Sequence, residues 1–159
     1  MTLRIGLHRS SGFVSTLIKW QTRGSYSHAS LVLPDDTVLE SMQGKGVVKN
    51  RTVQSCGEQV DLFTIPALAS VHQKALDFAL QQLGKGYDYT MVARFVTRRP
   101  ADRKESGKWF CSELVFASFA QAGLLLLRDT EAWEVSPELL SKSPYLIEAG
   151  TNKQLRAAA

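Results

Sequence analysis

A cysteine, a histidine and a glutamate have the side-chain types and sequence positions that nucleophilic catalysis requires. Cys111 begins an apolar run that predicts a buried helix, and His28 and Glu40 lie on two successive runs that predict strands. A thiol at a helix N-terminus feels the positive end of the helix dipole, which stabilises the thiolate. A nearby imidazole could take the thiol proton, and a carboxylate could orient that imidazole. These three residues are therefore the candidate catalytic residues.

Each candidate also fits an ordinary structural role, as a small core thiol, a strand histidine or a solvated glutamate. The rival nucleophile is Cys56, which lies in a predicted loop with no helix to stabilise its thiolate. One rival base is His8, which follows the first predicted strand with no carboxylate paired to it by the pattern. The other is His72, in the first turn of a predicted helix, where a cation is disfavoured, so we expect it at the surface.

A predicted hairpin tests whether His28 and Glu40 can cooperate. The runs 28–33 and 37–42 flank Pro-Asp-Asp, which is typical of a tight turn. A three-residue loop pairs residue 33 with residue 37, so Ser30 faces Glu40 and His28 lies diagonally across from Glu40. A slip of one residue would place the two on opposite faces. The expected register therefore permits the pair.

The remaining patterns predict an α+β domain in which an antiparallel sheet packs against helices. Residues 1–150 form the expected single domain, and residues 151–159 the expected flexible tail. Further strands are predicted at 3–7, 47–53 and 59–65, and helices at 11–22, 69–83, 110–122 and from Ser136-Pro137 to about 140.

The net charge of +4 is modest, and much of it is local. Between Arg94 and Lys108 stand six basic residues and two acidic ones, with Phe95 and Val96 among them. This segment is either a solvated loop or a basic rim that attracts an anionic substrate or a lipid surface. No pattern of interleaved aromatic and basic residues accompanies it, so we expect no nucleic-acid partner.

The sequence has no signal-peptide core and no apolar run near the ~18 residues of a membrane span. We therefore expect a protein made in the cytoplasm, which would reach the outside only by lysis, in a phage particle or through a dedicated secretion system. The two cysteines lack the spacing of metal ligands or of a disulfide framework, so we expect neither a metal nor another cofactor.

Four short motifs, at residues 27–33, 39–41, 83–89 and 109–115, resemble those of the NlpC-type papain-like hydrolases. The histidine motif precedes the cysteine motif, which resembles the circularly permuted branch related to the lecithin:retinol acyltransferase-like proteins. The resemblance extends over about residues 3–140, and it implies a papain-like fold with the nucleophile at a helix N-terminus.

The resemblance implies a role for each matching residue. Cys111 matches the nucleophile, His28 the general base and Glu40 the third polar residue. Tyr87 matches a tyrosine beside the nucleophile that contributes to the oxyanion site, although packing after a helix end explains it equally well. Relatives often have proline where this chain has Gly86, which loosens the match at Tyr87.

The implied function is a cysteine peptidase or amidase that forms a thioester at Cys111 and acts on cell-wall peptide, such as peptidoglycan, or on another amide. One alternative is a lipid-directed thiol acyltransferase or esterase, which would suit the basic segment. Another is a phage or structural binding module that keeps the fold with little catalysis.

Overall fold

The computed structural model describes residues 1–11, 19, 22–91 and 107–158. The predicted helix at 11–22 and most of the basic segment therefore lie outside the described residues. Six strands are present: β1 (Arg4–His8), β2 (His28–Val32), β3 (Thr37–Met42), β4 (Gly46–Thr52), β5 (Val60–Thr64) and β6 (Ile147–Thr151). The helices are α1 (Ala69–Gln81), α2 (Cys111–Gln121), α3 (Pro137–Leu140) and α4 (Asn152–Ala157), with 3₁₀ turns at Val53–Ser55 and Ala132–Glu134.

The strands form one antiparallel sheet in the order β4-β3-β2-β1-β5-β6. This arrangement confirms the α+β class. The histidine hairpin lies inside the sheet, so its two strands are each flanked by a neighbour. Both faces of the sheet are covered around these two strands. Polar side chains on them can therefore be held away from water, as a buried site requires.

Each face of the sheet packs on a different layer. One face and the helices α1 and α2 share the larger core, whose buried residues include Leu7, Leu31 and Leu39 from the strands and Ala79 and Leu114 from the helices. The opposite face carries a smaller cluster, covered in part by Leu155 of α4; its buried members are Val32, Val38, Val53, Cys56, Val60 and Leu62. Strand residues alternate between these two layers, as the pleat requires.

The β2–β3 hairpin has the predicted register. Leu31 pairs with Leu39 and Val32 with Val38. Asp36 has a φ of 63° and closes a three-residue loop, in which its N–H donates to the Leu33 carbonyl at 3.0 Å. His28, Ser30 and Glu40 therefore share one face of the sheet, as the sequence predicted.

The C-terminal segment corrects the prediction of a flexible tail from residue 151. Residues 152–157 form α4, which Asn152 attaches to the domain. The buried Asn152 side chain accepts the Val60 N–H at 3.0 Å and donates to the Glu58 carbonyl at 2.9 Å. Strand β6 was not predicted either, since most of its residues are exposed and its pattern is not apolar.

Candidate active site

The structure places His28 between Glu40 and Cys111. Nε2 of His28 lies 2.6 Å from Oε2 of Glu40, and the ring also makes a side-chain hydrogen bond with Cys111. Because Nε2 bonds Glu40, Nδ1 is the ring nitrogen available to Cys111. His28 is the first residue of β2, and α2 packs against both β2 and β3.

Cys111 is the first residue of α2 and is buried. The N–H groups in the first turn of a helix have no carbonyl partner within the helix, and they point toward this end. Glu113 satisfies one nearby donor, since its carboxylate accepts the Phe110 N–H at 3.2 Å. Glu113 therefore interacts with the helix N-terminus.

Hydrogen bonds attach the start of α2 to the sheet and to two neighbouring loops. Ser41 Oγ, on β3, donates to the Trp109 carbonyl at 2.7 Å. The Trp109 N–H donates to the Gly86 carbonyl at 3.0 Å, and Ser112 Oγ donates to the Val135 carbonyl at 2.6 Å. The segment that carries Cys111 is therefore held on the same strand that carries Glu40.

Tyr87 lies beside Cys111 in a cluster that also contains Met91 and Phe110. Burial, with the charge on Cys111, raises the pKa of the Tyr87 hydroxyl above its usual range. Its ring lies edge-on to Tyr89, with the ring centroids 5.0 Å apart. This packing supports the structural interpretation of Tyr87, and its contribution to an oxyanion site stays a prediction.

The charges around His28 favour an imidazolium. Burial alone lowers the pKa of His28, but the thiolate form of Cys111 and the Glu40 carboxylate outweigh burial and raise that pKa to about 10. Burial also opposes ionisation of Glu40, yet hydrogen bonds from His28 and Arg51 hold its pKa well below the usual range. The arrangement therefore supports an imidazolium beside Cys111 that a carboxylate orients.

The structure adds Arg51, which the sequence patterns did not indicate. Its Nε donates to Oε1 of Glu40 at 2.7 Å and its Nη2 to Oε2 at 2.9 Å. The same Nη2 lies 3.4 Å from Oε1 of Glu58. Arg51 therefore contacts both carboxylates on this face of the sheet.

A second histidine–carboxylate pair lies directly behind His28. His8 pairs with His28 across β1 and β2, with the ring centroids 4.8 Å apart. Nδ1 of His8 is 2.8 Å from Glu58, and Nε2 is 2.8 Å from Ser30 Oγ. Burial lowers the pKa of His8 to about 4, and the hydrogen bond from His8 lowers that of Glu58 to about 2. A neutral His8 thus donates to an ionised Glu58.

The rival residues are placed as follows. Burial raises the pKa of the Cys56 thiol to about 11, so Cys56 is protonated at neutral pH. His72 is buried, which corrects the expectation that it lies at the surface. Its Nδ1 accepts the Leu3 N–H at 3.3 Å and its Nε2 donates to the Ile65 carbonyl at 3.1 Å, which is a structural role.

Two overlapping groups of described residues have donor atoms close enough for a metal ion. One comprises His8, Cys56 and Glu58, and the other comprises His8, His28 and Glu40. Both nitrogens of His8 already have hydrogen-bond partners, and the Arg51 guanidinium contacts both carboxylates. Positive charge therefore already occupies this position, and the donor set does not favour a cation.

Comparisons with known proteins do not identify a family for this chain. No protein-family model matches the chain, and a search of curated proteins finds no match. In the described part of the chain, no helix is both long enough and apolar enough to cross a membrane.

Proposed function

We propose that this protein is a cysteine hydrolase of the circularly permuted, NlpC-type papain-like class. The observation that carries the proposal is the position of His28, whose Nε2 bonds Glu40 and whose ring also makes a side-chain hydrogen bond with Cys111. A nucleophile, a base and an orienting carboxylate in hydrogen-bond contact are the arrangement that covalent acyl transfer requires. The motif resemblance and the α2 position of Cys111 support the class.

The proposed reaction proceeds through a thioester. The Cys111 thiolate attacks an amide carbonyl carbon, and N–H groups at the start of α2 stabilise the resulting oxyanion. His28 gives its proton to the leaving nitrogen as the carbon–nitrogen bond breaks. His28 then takes a proton from water, whose oxygen attacks the thioester. The carbon–sulfur bond breaks, which releases a carboxylic acid and leaves the Cys111 thiolate beside the protonated His28, as at the start. Glu40 keeps the ring oriented throughout.

The proposed substrate is an amide in cell-wall peptide, and this choice rests on the motif resemblance. The basic segment that would suit a lipid surface lies, up to residue 106, outside the described residues. A lipid ester is therefore an outcome of the test and not a second proposal.

A product assay tests both the chemistry and the substrate class. Purified murein fragments and phospholipid vesicles are incubated with the protein, and the products are identified by mass spectrometry. We expect new amide cleavage products from murein, and a loss of several orders of magnitude in Cys111→Ala and His28→Ala, because such groups act as a unit. Cys56→Ser is the matched control, since it changes the other buried thiol, and it should keep activity.

The possible results are distinct. Lipid cleavage or acyl transfer that requires Cys111 would keep the nucleophile and replace the substrate class. Full activity in Cys111→Ala would refute the mechanism. Absence of any product, together with slow reaction of Cys111 with a thiol reagent, would favour a binding module.

A further inference from the structure

The Arg51 guanidinium meets the Glu40 carboxylate as a fork. Nε and Nη2 each donate to a different carboxylate oxygen, at 2.7 and 2.9 Å. Two parallel hydrogen bonds fix the plane of the carboxylate as well as its charge. The Glu40 side chain has no exposed surface and that of Arg51 is 22% exposed, so water competes little for these bonds.

A β-bulge directs Arg51 to the face that carries Glu40. Val38 pairs with Arg51 and Leu39 pairs with Lys49, so Asn50 is the extra residue of β4. Regular alternation along β4 would place Arg51 on the face opposite to Val48, the residue that pairs with Glu40. The bulge reverses this orientation, and bulges often re-aim a side chain beside an active site.

The guanidinium of Arg51 also contacts a second carboxylate, that of Glu58. Nη2 of Arg51 also faces Oε1 of Glu58, which His8 bonds at 2.8 Å from β1. The groups that face His28 are thus Cys111 from α2, Glu40 from β3 and His8 from β1. Arg51 contacts two carboxylates of this network and does not itself contact His28 or Cys111 in the hydrogen bonds described.

We infer that Arg51 is a positioning residue, which acts through Glu40 to make His28 present Nδ1 to Cys111. An ionised carboxylate can only accept hydrogen bonds, so a forked Glu40 keeps the proton of His28 on Nε2. The other ring nitrogen is then the one that takes the thiol proton. This inference rests on the proposed Cys111–His28 chemistry and extends it to a residue on the neighbouring strand.

Lysine cannot replace Arg51 in this role. An ammonium group is a point charge without a planar fork, so it would preserve the charge beside Glu40 but not the orientation of the carboxylate. Arg51→Lys therefore separates orientation from charge, while Arg51→Met removes both and keeps much of the side-chain length.

The test measures the rate of Cys111 alkylation by iodoacetamide between pH 5 and 9, with the modified residue identified by peptide mapping. This reaction needs no substrate, and its pH profile reports the thiolate. Arg9→Met is the matched control, because Arg9, the residue after β1, also donates through Nε and Nη2 to a carboxylate, that of Asp61 on β5, and does not touch Glu40. Circular dichroism and urea unfolding show which variants are folded.

We expect the wild-type protein to react rapidly at pH 6. Arg51→Met should react at least about tenfold more slowly there, which is the effect of one pKa unit. Arg51→Lys should lie between the two, and Arg9→Met should match the wild type. If Arg51→Met fails to fold, the folded Arg51→Lys variant decides alone.

Two contrary results have different meanings. The positioning role is overturned if folded Arg51→Met shows the same pH profile of alkylation as the wild type. Arg51→Lys takes its place in this comparison if only that variant folds. Either result would leave the proposed hydrolase intact. If the wild-type Cys111 instead reacts like a free thiol, with a midpoint near the usual pKa of about 8.5, the proposed function itself fails.

Discussion

Removal of the Cys111 thiol should lower the pKa of His28. The folded protein holds this pKa at about 10 against a usual value of 6.5, and the largest contribution that raises it comes from Cys111. The difference of about 3.5 units corresponds to about 5 kcal/mol in favour of the imidazolium. In Cys111→Ala only Glu40 remains to oppose burial, so we expect the pKa to fall by at least about one unit, or about 1.4 kcal/mol.

Proton NMR can follow this change, because the chain contains three histidines and therefore few imidazole signals. The His28 signal is assigned with His28→Gln, and its position is followed from pH 5 to 11. Cys56→Ser is the control and should leave the His28 titration unchanged. A Cys111→Ala protein in which His28 still titrates near 10 would refute the thiolate–imidazolium pair, since the glutamate alone would then account for the charge.

Three further predictions follow from burial and backbone geometry. Glu40→Gln removes the buried carboxylate that bonds both Arg51 and His28, and leaves Arg51 with only its 3.4 Å contact to Glu58. The free energy of unfolding at pH 7 should therefore fall by about 3 kcal/mol, and an unchanged urea midpoint would contradict this. The pKa of His8 is about 4 when folded and about 6.5 when unfolded, so the unfolded chain binds more protons between these values. The contribution of neutral His8 to the free energy of unfolding is complete above pH 6.5 and is lost as the pH falls through 4, by up to about 3 kcal/mol. Urea unfolding at pH 7, 5.5 and 4.5 measures this loss. A free energy of unfolding that does not fall would exclude a buried neutral His8. Gly44 and Gly46 both have positive φ, but only a Cβ at Gly46 would meet a backbone carbonyl. Both alanine variants should lose about 1–2 kcal/mol from the left-handed conformation, and Gly46→Ala should lose clearly more; equal losses in thermal unfolding would show that the neighbouring loop yields.

The candidate site shows which inferences local patterns can carry. His28 and Glu40 lie on one hairpin, whose turn residues and apolar alternation determine the register, so their proximity could be predicted from the sequence. The position of Cys111 at the start of α2 was predictable for a similar reason, because the apolar run begins there. Both inferences depend on neighbours along the chain.

Arg51, His8 and Glu58 could not be placed in the same way. A bulge decides the orientation of Arg51, and the alternation of β4 taken alone predicts the wrong face. His8 meets Glu58 only because β1 lies between β2 and β5, a pairing order that no local pattern specifies. A histidine at the end of a strand and a glutamate in a turn carry no signal that they belong together.

His72 and the C-terminal helix were misjudged for a related reason. His72 lies in the first turn of α1 but is buried, because the backbone groups of Leu3 and Ile65 are partners for both of its ring nitrogens. The polar segment after residue 150 forms a helix that packs on the domain, because the Asn152 side chain bonds the Val60 N–H and the Glu58 carbonyl at the start of β5. Burial of a polar residue depends on the partners available, and these come from distant parts of the chain.

The sequence by itself determined the α+β class, the histidine hairpin and the thiol at a helix start, because periodicity and turn chemistry act over a few residues. Only the tertiary structure decided that His28 bonds both Glu40 and Cys111, that Arg51 holds Glu40, and that a neutral His8 lies behind them. Strand order, one bulge and burial determine which of those contacts form, and none of the three can be read from a pattern of a few residues.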